Sequence, residues 1–194
     1  MAWDAAILAG GRARRFDGQD KSALPIAGRR LLDHQLAALA PLAARIVIVG
    51  GPPERFSDAG VPVVPDLLPG IGPLGGLYTA LEGASDRLLV LACDLPFVTT
   101  AFLQFLLRTG RDADATVPRT ADGLHPLCGA YARRAAPVLR RLIDEGVRQV
   151  QEALGALSLH IIEGEALAAH DPDGRLLHNI NTPDDYARAI ALIE

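Results

Sequence analysis

The chain has 194 residues, of which 49% are hydrophobic and 22% charged, and its net charge is -4. That composition supplies a buried core and lies far from a disordered one, and the length fits one domain, residues 1–194. The acidic balance excludes a general attraction to nucleic acid or to an anionic membrane, so any anionic ligand must be met by local positive charge.

In chain order, short β-like runs alternate with helical patterns. Residues 5–9 read as a first strand that leads directly into Gly10-Gly11. Residues 31–42 place apolar side chains at helical spacing, with Asp33, His34 and Gln35 on the other side. Residues 45–49 form a continuous β-branched strand that ends at Gly50-Gly51-Pro52-Pro53. A short strand over 61–65 and a loop over 66–73 precede a helix over 74–83. Residues 87–92, Arg-Leu-Leu-Val-Leu-Ala, are the most hydrophobic strand and stop at Cys93-Asp94-Leu95-Pro96. A helix over 100–108, strands over 115–118 and 127–132, and helices over 135–145 and 149–154 follow. Thr182-Pro183-Asp184-Asp185 is a strong helix start, with Thr as cap, Pro in the first position and acids in the first turn.

Apolar strands alternating with helices imply an α/β fold, a three-layer α/β/α sandwich around a mostly parallel sheet. Ligands of such sheets bind beyond the carboxyl ends of the strands. The loops at 10–21, 50–53, 66–73 and 93–96 then share one rim.

Among the 19 Lys and Arg residues the only lysine is Lys21. It closes a glycine- and arginine-rich segment that also carries Arg12, Arg14 and Arg15. A compact ammonium fits between crowded phosphate oxygens where a planar guanidinium does not. Codon bias is the weaker explanation, and a nucleotide or other polyphosphate is the ligand this loop suggests. The segment is neither a P-loop nor a Gly-x-Gly-x-x-Gly fingerprint. Its paired glycines let the backbone pass close to a ligand and aim N–H groups at it.

Asp94 emerges at the end of the most apolar strand. It is placed to hold Mg²⁺ bound to a nucleotide, and the alternative is a turn aspartate before Leu95-Pro96. Asp66 is poised equally between a contact to ribose or substrate and a turn start. Gly72, Gly75 and Gly76 leave room for a planar ligand at a helix N-terminus. Asn179 and Asn181 alternate along an extended segment and face one side, although cap and turn chemistry also explains that region. Arg133-Arg134 and Arg140-Arg141 read as solvated faces. Cys93, Cys128 and His125 lack a fourth ligand for zinc, and two cysteines outside a Cys-x-x-Cys pair make no disulfide scaffold. The N-terminus has neither a basic region nor a long apolar run, so no signal peptide is expected, and no stretch approaches the ~18 apolar residues of a membrane span. A soluble cytoplasmic protein is expected.

Leu8-Ala9-Gly10-Gly11 with Arg14-Arg15 and Lys21, Gly72-Pro73-Leu74-Gly75-Gly76, Cys93-Asp94-Leu95-Pro96, His125-Pro126, Gly146-Val147-Arg148 and Asn179-Ile180-Asn181-Thr182-Pro183 occur in this order. Together they resemble the molybdenum cofactor guanylyltransferase family, within the glycosyltransferase-A-like, Rossmann-like nucleotidyltransferases. The resemblance implies an enzyme that moves GMP from GTP to the terminal phosphate of molybdopterin, with Mg²⁺ as cofactor. It implies that Leu8, Ala9, Gly10, Lys21, Asp66 and Asp94 bind GTP, with Lys21 and Asp94 catalytic and Asp94 on the metal. It assigns Arg15, Gly76, Arg148, Asn179 and Asn181 to the pterin side. Molybdenum-insertion proteins and molybdoenzymes are the implied partners. The family often carries an asparagine after its second strand, where this chain reads Gly50-Gly51, a departure that bears on a side-chain contact to the nucleoside and not on the chemistry. The rival readings are a relative using CTP on molybdopterin or an NTP on a sugar phosphate, and a non-catalytic nucleotide-binding module.

Overall fold

The computed structural model of the chain describes residues 3–10 and 23–192. Arg12, Arg14, Arg15 and Lys21 therefore lie outside the described residues. The chain runs β1 (Trp3–Leu8), a β2 (Pro25–Ile26) and β3 (Arg29–Arg30) hairpin, α1 (Leu31–Leu39), β4 (Ala43–Val49), β5 (Val63–Val64) and α2 (Pro73–Glu82). It continues with β6 (Arg87–Ala92), α3 (Thr100–Arg108), β7 (Ala115–Thr120), β8 (Gly123–Leu124) and β9 (Cys128–Ala132). The last elements are α4 (Ala136–Asp144), α5 (Val150–Leu154), β10 (Leu159–Ile162), α6 (Gly164–Ala168) and α7 (Pro183–Ala191).

The main sheet has the order β10-β7-β9-β6-β1-β4-β5, with β8 paired to β7. β1 sits between β4 and β6 and is parallel to both. The β4–β5 and β10–β7 pairs are parallel too, while β9 runs against its neighbours β6 and β7, and the short β8 runs against β7. The pleat then sorts the side chains. Ala6, Leu8, Val49, Leu88 and Val90 face α2, α4 and α5, while Ala5, Ile7, Ile48, Leu89 and Leu91 face α1 and α3. A sheet covered on both faces is what makes its strands continuously apolar, and the expected three layers follow.

A smaller cluster of Ile26, Leu31, Ile180 and Ala189 joins the β2–β3 hairpin to α7. The Tyr186 hydroxyl donates to the Pro25 carbonyl at 2.5 Å. Thr182 Oγ1 accepts from the Asp185 N–H, and the Asp185 carboxylate accepts from the N–H groups of Thr182 and Asn181. This is a capping box with aspartate in place of the longer acid. The Arg188 guanidinium, ahead of these N–H groups, holds the Asp185 carboxyl far below its ordinary range.

Three expectations need correction. α1 stops at Leu39, three residues short of the predicted end, because Pro41 has no N–H to continue the ladder. β5 keeps only Val63–Val64, since Pro62 and Pro65 bracket it and donate nothing to a sheet. Gln35 does not join Asp33 and His34 on the outer side of α1: it is 1% exposed, beneath the end of β6. Among the described residues no helix is long and apolar enough to cross a membrane.

Candidate active site

The carboxyl ends of β1, β4 and β6 meet at one edge of the sheet. The N–H of Ala9 donates to the carbonyl of Val49 at 2.9 Å, and that of Cys93 donates to the carbonyl of Leu8 at 3.1 Å. These bonds carry the β1 ladder past its last residue and pull the loops after β4 and β6 towards it. Beyond Leu8 the backbone of Gly10 passes directly against Gly50. Gly50 sits at φ +82, and a Cβ there would stand 2.9 Å from the Gly10 Cα and 3.3 Å from Asp66 Oδ2. A Cβ fits neither that dihedral well nor the space left by Gly10, so glycine is the residue this close approach calls for.

Asp66 closes this floor. A Cβ on Gly10 would lie 3.5 Å from Asp66 Oδ2, and one on Gly76 would lie 3.7 Å from Asp66 Oδ1 and from the Leu8 methyls. The carboxylate thus faces backbone on three sides. Burial raises its pKa above the ordinary aspartate value, because desolvation penalises the charged form. The Leu67 N–H donates to Thr79 Oγ1 at 3.0 Å, and that hydroxyl donates to the Gly75 carbonyl at 2.8 Å. This relay ties the Asp66 loop to the first turns of α2.

On the other side of Leu8, Asp94 borders a cleft of about 370 Å³. The cleft is also lined by Pro73 at the start of α2, by His125, and by Arg148, Gln149 and Asn179. The Asp94 loop is fixed from behind, since the Ile180 N–H donates to the Asp94 carbonyl at 3.0 Å. Ile180 is fully buried, so Asn179 on one side of it is turned to the exposed cleft wall. His125 follows the short β7–β8 hairpin, with its N–H on the Pro118 carbonyl. Its Nε2 lies 2.8 Å from Thr120 Oγ1, and burial pushes its pKa down. The ring is therefore neutral near pH 7. Arg148 donates to the carbonyls of Ile143 and Val147 at 2.9 and 2.8 Å, so part of its fork closes the C-terminal end of α4.

The structure thus brings together Leu8, Ala9, Gly10, Asp66 and Gly76 on one side, and Asp94, Arg148 and Asn179 around the cleft. Asn181 is anchored through its backbone N–H to Asp185 at 3.0 Å and does not appear among the residues lining the cleft. Arg15 and Lys21 lie outside the described residues. Among the described residues no group of three His, Cys, Asp or Glu side chains forms a ready-made metal cage. Burial raises the Cys128 thiol to about 12, so it stays protonated. Sequence reasoning missed His125, Gln149 and Gln35 as parts of this edge. The available signal for His125 was its place just beyond a strand pair, at the same end of the sheet as Asp94.

A family model described as MobA-like NTP transferase domain matches residues 5–158. A probable molybdenum cofactor guanylyltransferase of Chloroflexus aggregans is 35% identical over 192 residues, covering 95% of this chain and 92% of that protein. A protein of the same description from Carboxydothermus hydrogenoformans is 31% identical over 188 residues, covering 96% and 94%. The crystal structure of molybdopterin-guanine dinucleotide biosynthesis protein A from Archaeoglobus fulgidus matches with a TM-score of 0.84 at 30% identity, over 98% of each chain.

Proposed function

The chain belongs to the MobA-like NTP transferase family, and from that premise we propose that it transfers GMP from GTP to the terminal phosphate of molybdopterin. The products are molybdopterin guanine dinucleotide and pyrophosphate. One observation carries the reading: a glycine-walled floor and a cleft adjoin along a single sheet edge, with the end of β1 between them. Two anionic substrates need that side-by-side geometry.

On this reading Leu8, Ala9 and Gly10 hold the guanine nucleotide through backbone groups, and Asp66 contacts it from the far wall. Gly76, expected on the pterin side, borders Asp66 and the Leu8 methyls and so serves the nucleotide side. Arg15, Arg148 and Asn179 serve the pterin side, and Asn181, expected there too, instead anchors the segment that carries Asn179 through its backbone N–H. The reaction asks little of acid–base groups, because the attacking phosphate monoester is already anionic at neutral pH. The barrier lies in bringing two anions together and in dispersing charge on the α-phosphate and the departing pyrophosphate. Lys21 and the loop amides do this through position and preorganised charge. The neutral His125 ring adds no charge to the cleft.

Asp94 suits a divalent ion by the chemistry of its donor, a hard carboxylate oxygen at a strand end whose loop is fixed from behind. Asp94 would hold Mg²⁺, which when bound neutralises phosphate charge during transfer. We further propose that residues 1–194 act as one domain in the cytoplasm and pass the product to molybdenum-insertion proteins and molybdoenzymes.

The test is pyrophosphate release with molybdopterin and Mg²⁺, compared across GTP, CTP, ATP and UTP. Release with GTP alone is the expected result. Preferential use of CTP would move the assignment to a cytidylyl transferase of the same fold. No release with any nucleotide, alongside nucleotide-induced melting shifts, would leave a binding module.

A further inference from the structure

The side chain of Gln35 is the least expected buried group near the site. It sits on the inward face of α1 at 1% exposure, a position that an apolar residue fills at lower desolvation cost. Its Nε2 donates to the Ala92 carbonyl at 2.6 Å and to the Leu95 carbonyl at 3.4 Å. Both partners are acceptors, so the orientation of the amide is fixed by chemistry and not by choice of assignment. The Oε1 atom is thereby turned to a place where, among the described residues, no donor meets it. An amide that accepts this penalty is there for its two donated bonds.

Those two carbonyls bracket Cys93-Asp94. The amide spans the loop like a strap, at the point where β6 ends and the chain must turn sharply enough to present Asp94 to the cleft. The other supports come from elsewhere: the Leu8 carbonyl takes the Cys93 N–H, and the Ile180 N–H reaches the Asp94 carbonyl. The Thr100 hydroxyl donates to the Ala38 carbonyl at 2.9 Å, so the segment after the loop is also tied to α1, one turn further on. We infer that Gln35 is a positioning residue, holding the Asp94 carboxylate in the orientation that binds the divalent ion. The inference rests on the role given to Asp94 above. Outer partners that orient a metal-binding carboxylate are worth on the order of 10- to 100-fold in metal affinity.

Mn²⁺ titrations of the full chain with GTP, followed by electron paramagnetic resonance, test this without turnover. Gln35→Met, nearly equal in volume and without donors, is expected to weaken Mn²⁺ binding about tenfold. It should lower kcat at fixed metal while KM for GTP stays within about twofold. Thr100→Val, which removes the neighbouring tie to α1, is expected to lower the melting temperature and leave Mn²⁺ affinity unchanged. Wild-type Mn²⁺ affinity in Gln35→Met, with affinity lost in Asp94→Asn, would overturn the inference and leave the Asp94 assignment standing. Unchanged affinity in Asp94→Asn would overturn both. If Gln35→Met does not fold, Gln35→Leu, which also lacks donors and carries no charge, is read in the same way, with the same outcome overturning the inference.

Discussion

Replacing Gly50 with alanine isolates the close approach on which the proposed nucleotide floor depends. Two costs arise. The backbone sits at φ +82, and a non-glycine residue in that region costs roughly 1–2 kcal/mol. The new methyl would stand 2.9 Å from the Gly10 Cα and 3.1 Å from its N. Both are backbone atoms that no rotamer can move aside, so the ladder after β1 has to give way, at about 1–3 kcal/mol by analogy with overpacked cores. The sum is about 2–5 kcal/mol, a large share of the roughly 5–15 kcal/mol that holds a domain folded. At about 2–4 °C per kcal/mol for a chain of this size, the melting temperature should fall by about 5–20 °C. Gly60→Ala supplies the control, since Gly60 has φ +69 but nothing within 4 Å of a built Cβ. Only the dihedral cost applies there. Scanning fluorimetry on both variants, with and without GTP, separates the two costs. Gly50→Ala should lose more stability and also the GTP-induced shift, whereas Gly60→Ala should keep the shift. Equal losses in the two variants would refute the argument that the floor is built on contact between Gly10 and Gly50.

Further outcomes can be stated briefly. Lys21→Ala should cost about 2–4 kcal/mol of transition-state stabilisation, as for loss of one preorganised donor. Lys21→Arg should recover little of it, and full kcat/KM in the arginine variant would show that generic positive charge suffices. Asn179→Ala should raise KM for molybdopterin and leave GTP affinity nearly unchanged, as separate substrate titrations would show, and a parallel loss of both with a lower melting temperature would mean a structural role. Asp66 has a folded-state pKa raised by burial, so its stabilising contribution is complete below the ordinary aspartate value and is lost as pH rises through the folded one. Asp66→Asn should therefore melt higher than the parent at pH 7, and the gain should shrink towards pH 3. A gain that is independent of pH would contradict that sign.

Much of this architecture is legible in the chain itself, for identifiable reasons. Residues 87–92 and 100–108 coincide with β6 and α3, the first through unbroken apolar character and the second through the Thr99 cap and the helical spacing after it. The start of α7 is equally plain, because Thr182, Pro183 and Asp185 each carry a separate cap signal. The shared rim follows from strand direction alone, and Gly10, Gly50 and Asp66 duly meet there. Other elements leave no such trace. β10 is a four-residue edge strand with a histidine and only one fully buried residue, so it lacks both alternation and an apolar run. The reversed direction of β9 cannot be read from its pattern, since a strand buried on both faces looks the same either way. Gln35 shows the limit of periodicity: a polar residue on an amphipathic helix is assigned outward by default, and only the carbonyls of a distant strand end reveal its inward place. Gln149 joins the cleft through tertiary packing that no local spacing encodes, whereas His125 stands out only through the family pattern and its place beyond a strand pair.

The small cluster between the β2–β3 hairpin and α7 also sets an order of events during synthesis. Tyr186 and Pro25 meet across a separation of 161 residues, and the Asp94 carbonyl is reached by Ile180 from almost as late in the chain. On the ribosome, at roughly 5–20 residues per second, β1, β4 and β6 can pair and bury their faces many seconds before these last partners emerge. Until then the early segments have a sheet but not a finished edge: the hairpin lacks its apolar cover and the Asp94 loop lacks one of its supports. The nascent chain can thus acquire a core before it acquires a site. The edge that joins Gly10, Gly50 and Asp94 is complete only once the C-terminal segment has docked behind it.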